Sequence, residues 1–196
     1  MIDKKINTTN EALMARVAAG DKHAFEALLY RYQQSIINFI FRFLGDRSEA
    51  EDLTQEVFLS VWRSAGTYKP KAKFTTWLYR IAVNLCINRQ RSLRIRKWFT
   101  ASNPDSRPQS PNGRFVANMG VTQRTPEDDL MQLELSQQLG KALAGLPTSQ
   151  RLAVILKFYD ELSYHEIAQI LGRSVSAVDS LLVRAKKKLR KDLTDS

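Results

Sequence analysis

Residues 36–44 read IINFIFRFL, a run whose apolar side chains fall on nearly every face of a helix. A helix without a polar face lies either inside a protein or in a membrane. These nine residues are too few to cross a bilayer, which takes about 20. The run therefore predicts the central helix of a bundle. Gly45-Asp46 ends it, and apolar residues recur at helical spacing on both sides, over residues 13–32 and 53–62.

Capping motifs predict where the neighbouring helices begin. Residues 8–11 (TTNE) and 48–51 (SEAE) have the spacing of a capping box. Residues 66–73, with a central proline, are typical of a loop, and a further helix is predicted from Thr75 or Thr76 to about Lys97. Strand patterns and internal repeats are absent. Residues 1–97 are thus predicted to form an all-helical domain.

The composition limits the class of protein. The chain has 196 residues, 43% of them apolar, which suffices for one domain or two small ones. A formal charge of +10 favours polyanion binding, although a basic charge alone is a weak signal. With Cys86 as the single cysteine and only His23 and His165, neither an intrachain disulfide nor a Cys/His zinc site is expected. Signal-peptide and membrane-span patterns are also absent, so we expect no membrane insertion and a cytoplasmic location.

A change of character divides the chain. Residues 98–124 combine proline and glycine with Ser, Asn and Gln, without periodicity. Such a segment is typical of a flexible linker, whose roughly 27 residues would give an end-to-end distance of roughly 30 Å. Order resumes at Thr125-Pro126, a helix-start signal. The predicted fold is therefore all-α: two small helical domains, 1–97 and 125–196, joined by a flexible linker.

The C-terminal domain carries a helix-turn-helix pattern. Ser163 to Glu166 has capping-box spacing, Gly172 is placed to make the turn, and residues 176–179 (SAVD) are predicted to start the second helix. That helix would read base edges from its N-terminal turns, and its many basic residues suit phosphates. A plain helical hairpin with a solvated basic tail is the alternative.

Charge is distributed unevenly in the N-terminal domain. Residues 57–104 contain no acidic side chain but many basic and aromatic ones, a combination that suits phosphates and unstacked bases. Residues 46–56 are acidic, with only Arg47 against them. We interpret this acidic stretch as a docking surface for a basic protein partner, with Leu53, Val57 and Trp62 supplying apolar area. A solvated helix face and a metal site are the alternatives, and the metal site lacks a second carboxylate cluster.

Polar residues spaced by four lie within the basic stretch. Arg80, Asn84 and Asn88 share one helical face, and the loop from Lys69 to Phe74 leads into that helix. Asparagine can both donate to and accept from a base edge, while arginine can stack or hold a phosphate. An exposed asparagine is more often simply solvated, and Trp77 alone is more often part of a core.

Together these motifs resemble the extracytoplasmic-function (ECF) sigma factors of bacterial RNA polymerase. The resemblance is carried by residues 50–58 (AEDLTQEVF), 74–84 (FTTWLYRIAVN), 146–147 (LP) and 162–168 (LSYHEIA). It covers nearly the whole chain apart from the linker. The last two stretches together form one motif, and three motifs in the right order are far more specific than the helix-turn-helix alone.

The resemblance implies a role for each motif. In the family, the acidic motif docks on the clamp helices of the polymerase's largest subunit, the second motif melts the −10 element and holds a flipped base, and the helix-turn-helix reads the −35 element. Core binding would fall to Glu49, Glu51, Asp52, Gln55 and Glu56. The −10 contacts would come from Lys69, Lys71, Lys73, Phe74, Trp77, Arg80, Asn84 and Asn88. The −35 contacts would come from Ser174, Ser176, Ala177, Ser180, Arg184, Lys187 and Lys188.

The resemblance also implies the partners. These are the polymerase core, promoter DNA and the anti-sigma factor that the family often uses as a brake. The polymerase performs the chemistry, so no catalytic residue, metal or cofactor is expected here. Many family members carry basic residues at two recognition-helix positions where this chain has Asp179 and Leu181, which puts direct DNA contacts there in doubt. A stand-alone helix-turn-helix regulator is the alternative function, whereas a nuclease would need an acid, base or metal set that the sequence does not offer.

Overall fold

The computed structural model describes residues 8–70, 73–101 and 137–194. Regular structure in these ranges is entirely helical, which confirms the all-α prediction. Residues 102–124 of the predicted linker and the helix start at Thr125-Pro126 lie outside the described residues. The predicted boundary at residue 97 is wrong, because residues 98–101 continue the helix. The helices are α1 Asn10–Ala18, α2 Lys22–Leu44, α3 Arg47–Ser64, a 3-10 turn Ala65–Thr67, α4 Phe74–Ala101, α5 137–145, α6 Thr148–Phe158, α7 Tyr164–Leu171 and α8 Val175–Thr194.

Helix α2 forms the centre of the N-terminal domain, as its apolar run predicts. Ile36, Phe39, Ile40 and Phe43 are fully or almost fully buried. Helices α1, α3 and α4 all pack against α2. Burying side chains of this size contributes about 1.5–3 kcal/mol each, so this part of α2 is the main apolar support of the domain.

Two of the predicted helix starts are displaced by one or two residues. Thr9, not Thr8, caps α1 by accepting the Ala12 N–H. Asp46, not Ser48, caps α3 by accepting the Glu49 N–H at 2.9 Å. Both predicted capping boxes are wrong for the same reason: another polar side chain stands close by and takes the cap position.

The C-terminal domain contains the predicted helix-turn-helix in α7 and α8. Ser163 and Glu166 form a complete capping box, and Gly172 ends α7 with a left-handed φ of 62°. Helix α8 starts earlier than predicted, because Ser174 Oγ accepts the Ala177 N–H at 3.2 Å and Val175 is already helical. The predicted start at Ser176 is therefore wrong, although the motif itself is present.

The two domains pack directly against each other. Helix α6 contacts α2, and α7 contacts α4. The buried guanidinium of Arg151 donates to the Phe43 carbonyl at 3.0 Å, and the Tyr79 hydroxyl donates to Asp160 at 2.7 Å. The apolar cores of both domains merge into one cluster. A linker long enough to hold the domains apart is thus compatible with a closed arrangement as well.

The described helices also bear on membrane insertion. Within residues 8–70, 73–101 and 137–194, no helix combines the length and the hydropathy that a membrane span requires.

The turns around α7 offer a test of backbone strain. Gly172 and Glu161 both have left-handed φ, at 62° and 54°, a conformation that costs a residue with a Cβ about 1–2 kcal/mol. A Cβ at Gly172 would meet no atom within 4 Å. We therefore expect Gly172→Ala to lower the free energy of unfolding by about 1 kcal/mol through the backbone alone.

Glu161→Gly is the matched reverse substitution. It relieves the strain but makes the unfolded chain more flexible, so we expect a gain of only about 0.5 kcal/mol. Urea denaturation followed by circular dichroism measures both. Equal stabilities for Gly172→Ala and the natural chain would contradict the assignment of strain to this turn.

Candidate functional site

An exposed polar face runs along α3. The side chains of Glu51, Asp52, Gln55 and Glu56 are all exposed. Leu53 and Val57 are buried, so the apolar contribution predicted from these two is not available as open surface, whereas Trp62 is half-buried and remains partly accessible. Leu59 is a further apolar side chain on the surface of α3 and is half exposed.

Arg89 of α4 organises the acidic residues. Its guanidinium pairs with Glu49 at 2.5 Å and with Glu56 at 2.6 Å. Glu49 is therefore engaged within the domain and mostly covered, while Glu51 pairs on the surface with Arg47 at 2.7 Å. Sequence reasoning placed Arg89 only among the basic residues of the stretch, because the pairs span 40 and 33 positions of the chain.

The second face lies on α4. Arg80, Asn84 and Asn88 are exposed, and the residues between them at 82, 83 and 86 are buried. The predicted polar face is therefore formed and accessible. Cys86, on the buried side of the same helix, is fully covered, and burial raises the pKa of its thiol, which keeps it protonated and unreactive.

An aromatic cluster supports the start of α4. The Phe74 ring lies 5.5 Å from Tyr32, 6.3 Å from Tyr68 and 6.0 Å from Trp77. Phe74 is fully buried, so its side chain is not available for the predicted DNA contact in this conformation. Trp77 is half-buried, with its ring 4.9 Å from Tyr68. These rings anchor the loop before α4, and Lys69 in that loop is exposed.

Helix α1 contributes a contact that the sequence did not reveal. The Glu11 carboxylate accepts the backbone N–H of Phe74 at 3.3 Å. Glu11 therefore caps the start of α4, 63 positions away. It does not complete the capping box that the sequence predicted for its own helix. Burial raises the pKa of the Tyr68 phenol, and the nearby negative charge of Glu11 raises it further.

Lys73 is paired across the domains. Its ammonium lies 2.9 Å from the Glu166 carboxylate, and its side chain remains 75% exposed. Hydrogen bonds from Ser163 first, and then from Lys73, lower the pKa of Glu166 to about 2. Lys73 is thus engaged with α7 in this conformation, while Lys71 lies outside the described residues.

Helix α8 presents the predicted DNA-reading positions. Ser174, Ser176, Ser180, Arg184, Lys187 and Lys188 are exposed, and Ala177 is half-buried. Leu181 is buried and packs in the core, which explains why this position is apolar here. Asp179 is exposed. The exposed face of α8 is therefore rich in hydroxyl groups near its start and basic further along.

Asp160 is a titratable group at the domain interface. Its Oδ1 accepts the Tyr79 hydroxyl at 2.7 Å, while its buried Oδ2 has no hydrogen-bond partner. Burial raises the pKa of Asp160 to about 6, and the Tyr79 hydrogen bond and Arg42 oppose that rise. Sequence patterns gave no signal for this pair, since Tyr79 lies in α4, Asp160 lies in the turn after α6, and the two are 81 positions apart.

Both domains match known family models. Residues 28–96 match sigma-70 region 2, and residues 136–189 match sigma-70 region 4. The ECF sigma factor SigW of Bacillus subtilis is 36% identical, over 92% of this chain and 94% of its own length. The sigma-H factor of Pseudomonas aeruginosa is 32% identical, over 94% and 93% of the two chains.

Solved structures share the fold. CnrH, determined in complex with the cytosolic domain of CnrY, has a TM-score of 0.68 at 23% identity, with 96% of this chain and 99% of that chain covered. RpoE of Bartonella quintana, in complex with the anti-sigma factor NepR, has a TM-score of 0.64 at 21% identity, with 87% and 96% covered.

The family follows from the sequence matches. Two region models match in the expected order, and relatives above 30% identity cover more than nine-tenths of both chains. A stand-alone helix-turn-helix regulator would not account for the region 2 match. The chain therefore belongs to the ECF sigma factors of the sigma-70 family, which bind RNA polymerase and direct it to specific promoters.

Proposed function

We propose that this sigma factor binds the polymerase core through α3, captures the −10 element through α4 and reads the −35 element through α8. The observation that carries the proposal is the exposed face of Arg80, Asn84 and Asn88 on a helix whose opposite side is buried. Such a face can hold an unstacked base by donor and acceptor contacts.

The loop before α4 complements that face. Lys69 and Lys73 are exposed cations at its ends, which suit the phosphates of a single strand. The aromatic cluster beneath them supports a rigid platform. Phe74 acts there by packing, while Trp77 keeps part of its ring accessible at the edge of the cluster. Capturing bases in this way offsets part of the cost of melting the duplex.

Helix α3 suits the core polymerase. Its exposed carboxylates and the accessible Leu59 combine charge with apolar area, as protein interfaces do. Asp52 is the carboxylate of this face that we favour, because Arg89 holds Glu49 and Glu56 and Arg47 pairs with Glu51. We assign the principal contact to Asp52, with Glu51 and Gln55 beside it.

The remaining assignments follow from the family. The chain acts by binding, and the polymerase makes the bonds. Because bacterial RNA polymerase acts in the cytoplasm, we assign the same location to this chain. The two solved relatives, in which CnrH is bound to CnrY and RpoE to NepR, support the proposal that an anti-sigma factor also regulates this chain.

Transcription from a genomic fragment library tests the function. Core polymerase is incubated with the library, with and without this protein, and the transcripts are sequenced. We expect a set of start sites that depends on the protein. These sites should share two upstream elements, about 10 and 35 base pairs before the start, as the names of the −10 and −35 elements state. An unchanged transcript set would contradict the proposal.

Asp52→Arg tests the docking surface. Reversing an exposed charge at an interface places like charges together, so we expect core binding to weaken at least about tenfold, or about 1.4 kcal/mol. Glu56 is left intact because it holds Arg89. Glu26→Arg on α2, also exposed, is the charge-matched control. Fluorescence anisotropy with core measures both, and equal affinities would refute the assignment of Asp52.

Asn84→Ala and Arg184→Ala separate the two DNA contacts. We expect Asn84→Ala to reduce open-complex formation by an amount worth about 1–3 kcal/mol, most of which is recovered on a template mismatched at the −10 element. Arg184→Ala should instead weaken upstream binding and lower its salt dependence, with little help from the mismatch. Permanganate footprinting at several salt concentrations checks this. An identical response of both variants would contradict the division of labour.

Glu11→Ala tests the contact from α1 to α4. Losing the acceptor for the Phe74 N–H costs about 1 kcal/mol of local stability, so the start of α4 loosens and open-complex formation slows several-fold. Glu11→Gln keeps an oxygen acceptor and should restore the rate. Glu26→Ala is the control, because the Glu26 carboxylate pairs with His23 of its own helix at 3.2 Å. Stopped-flow measurement of promoter opening compares the variants, and failure of Gln to rescue would exclude a capping role.

A further inference from the structure

Arg89 stands between the residues that we assign to the polymerase and those that we assign to the −10 strand. It directly follows Asn88, the last member of the polar α4 face, in the chain. Its guanidinium pairs with Glu49 and Glu56 of α3 at 2.5 and 2.6 Å. One side chain thus connects a carboxylate of the acidic α3 face to the helix position next to Asn88.

The two ion pairs of Arg89 differ in accessibility. The side chain of Glu49 is 25% exposed, whereas that of Glu56 is 48% exposed. A cation of a partner protein can therefore approach Glu56 more readily than Glu49. Two carboxylates share one guanidinium, so one negative charge is left uncompensated and attracts such a cation. Because ion pairs near the surface contribute little, exchanging the partner of Glu56 costs little.

The chemistry of arginine suits an exchange of partners. A guanidinium binds carboxylates and phosphates through the same planar arrangement of N–H donors. While Arg89 pairs with Glu56, its Nη2 donor is occupied, and the carboxylate repels any phosphate nearby. A cation that takes Glu56 removes both obstacles at once. Glu49 remains in contact with Nη1 and keeps the side chain in place.

We propose that Arg89 couples polymerase docking to −10 capture by exchanging the Glu56 carboxylate for a phosphate of the −10 strand next to Asn88. A cation of the core polymerase that pairs with Glu56 releases the guanidinium for this contact. The inference rests on the proposed functions of α3 and α4. Linkage then requires that the −10 strand strengthen core binding by the same factor by which core strengthens strand binding.

Glu56→Gln tests the release in the free, full-length protein. Glutamine keeps the length of the side chain but lacks the charge that holds Arg89. We expect the variant to bind a fluorescent single strand, carrying the −10 element of a promoter from the library, several-fold more tightly than the natural chain. Glu26→Gln removes the same charge from an exposed position of α2 and is the matched control. Equal gains from both variants would mean that net charge alone is responsible, and would overturn the proposal.

Arg89→Gln shows whether the gain depends on the guanidinium. On that background, Glu56→Gln should leave the strand affinity unchanged, and a gain of the same size without Arg89 would overturn the proposal. Circular dichroism checks that the variants are folded. The salt dependence of Glu56→Gln gives a second measurement that does not need the Arg89 variant. One additional phosphate contact should steepen the slope of log affinity against log salt concentration by about 0.7, and an unchanged slope would also overturn the proposal.

Core polymerase provides the test of coupling. At saturating core, Arg89 of the natural chain is already released, so Glu56→Gln should lose its advantage in strand binding. An advantage that persists with core would overturn the proposal while leaving the proposed function intact. Asn84→Ala is measured in parallel with core. Unchanged strand affinity of that variant would overturn the −10 assignment itself, and the inference with it.

Discussion

The buried guanidinium of Arg151 is the contact on which the relation of the two domains depends. It is only 8% exposed and donates to the carbonyls of Phe43, Ala144 and Leu146. These carbonyls stand at or just beyond the C-terminal ends of α2 and α5, where helix dipoles place partial negative charge. Because a buried cation needs such partners, Arg151 fixes the end of α5 and at the same time ties it to the central helix of the other domain.

The start of α4 depends on a second set of distant contacts. Phe74 is surrounded by aromatic rings from α2 and from the preceding loop, and its N–H is accepted by Glu11 of α1. Helix α1 lies before residue 28, where the match to sigma-70 region 2 begins. Residues outside the matched region therefore help to define the geometry of the proposed −10 platform. The contacts that stabilise the domain around Phe74 therefore also position Lys73 and Trp77.

The sequence predicted the parts of this structure that depend on local pattern. Apolar periodicity gave the helices, and the spacing of Arg80, Asn84 and Asn88 gave an exposed face that the structure contains. Capping was predicted less well, because Thr9 and Asp46 compete with equally suitable neighbours and only the backbone geometry decides between them. The Tyr79–Asp160 pair could not be predicted, since it joins residues 81 positions apart and no local pattern encodes such a contact.

The recognition helix shows how packing constrains readout. Leu181 and Leu182 are both buried, so α8 can present only the face that contains Ser176, Ser180 and Arg184 to a major groove. Asp179 stands next to that face and is exposed, and a carboxylate there is repelled by phosphates and accepts hydrogen bonds from cytosine. If α8 reads the −35 element as proposed, an acidic residue at this position disfavours close approach to most sequences more than it favours any one. Specificity at this helix would then arise partly from rejection of unsuitable duplexes, with the basic residues beyond Arg184 supplying the affinity.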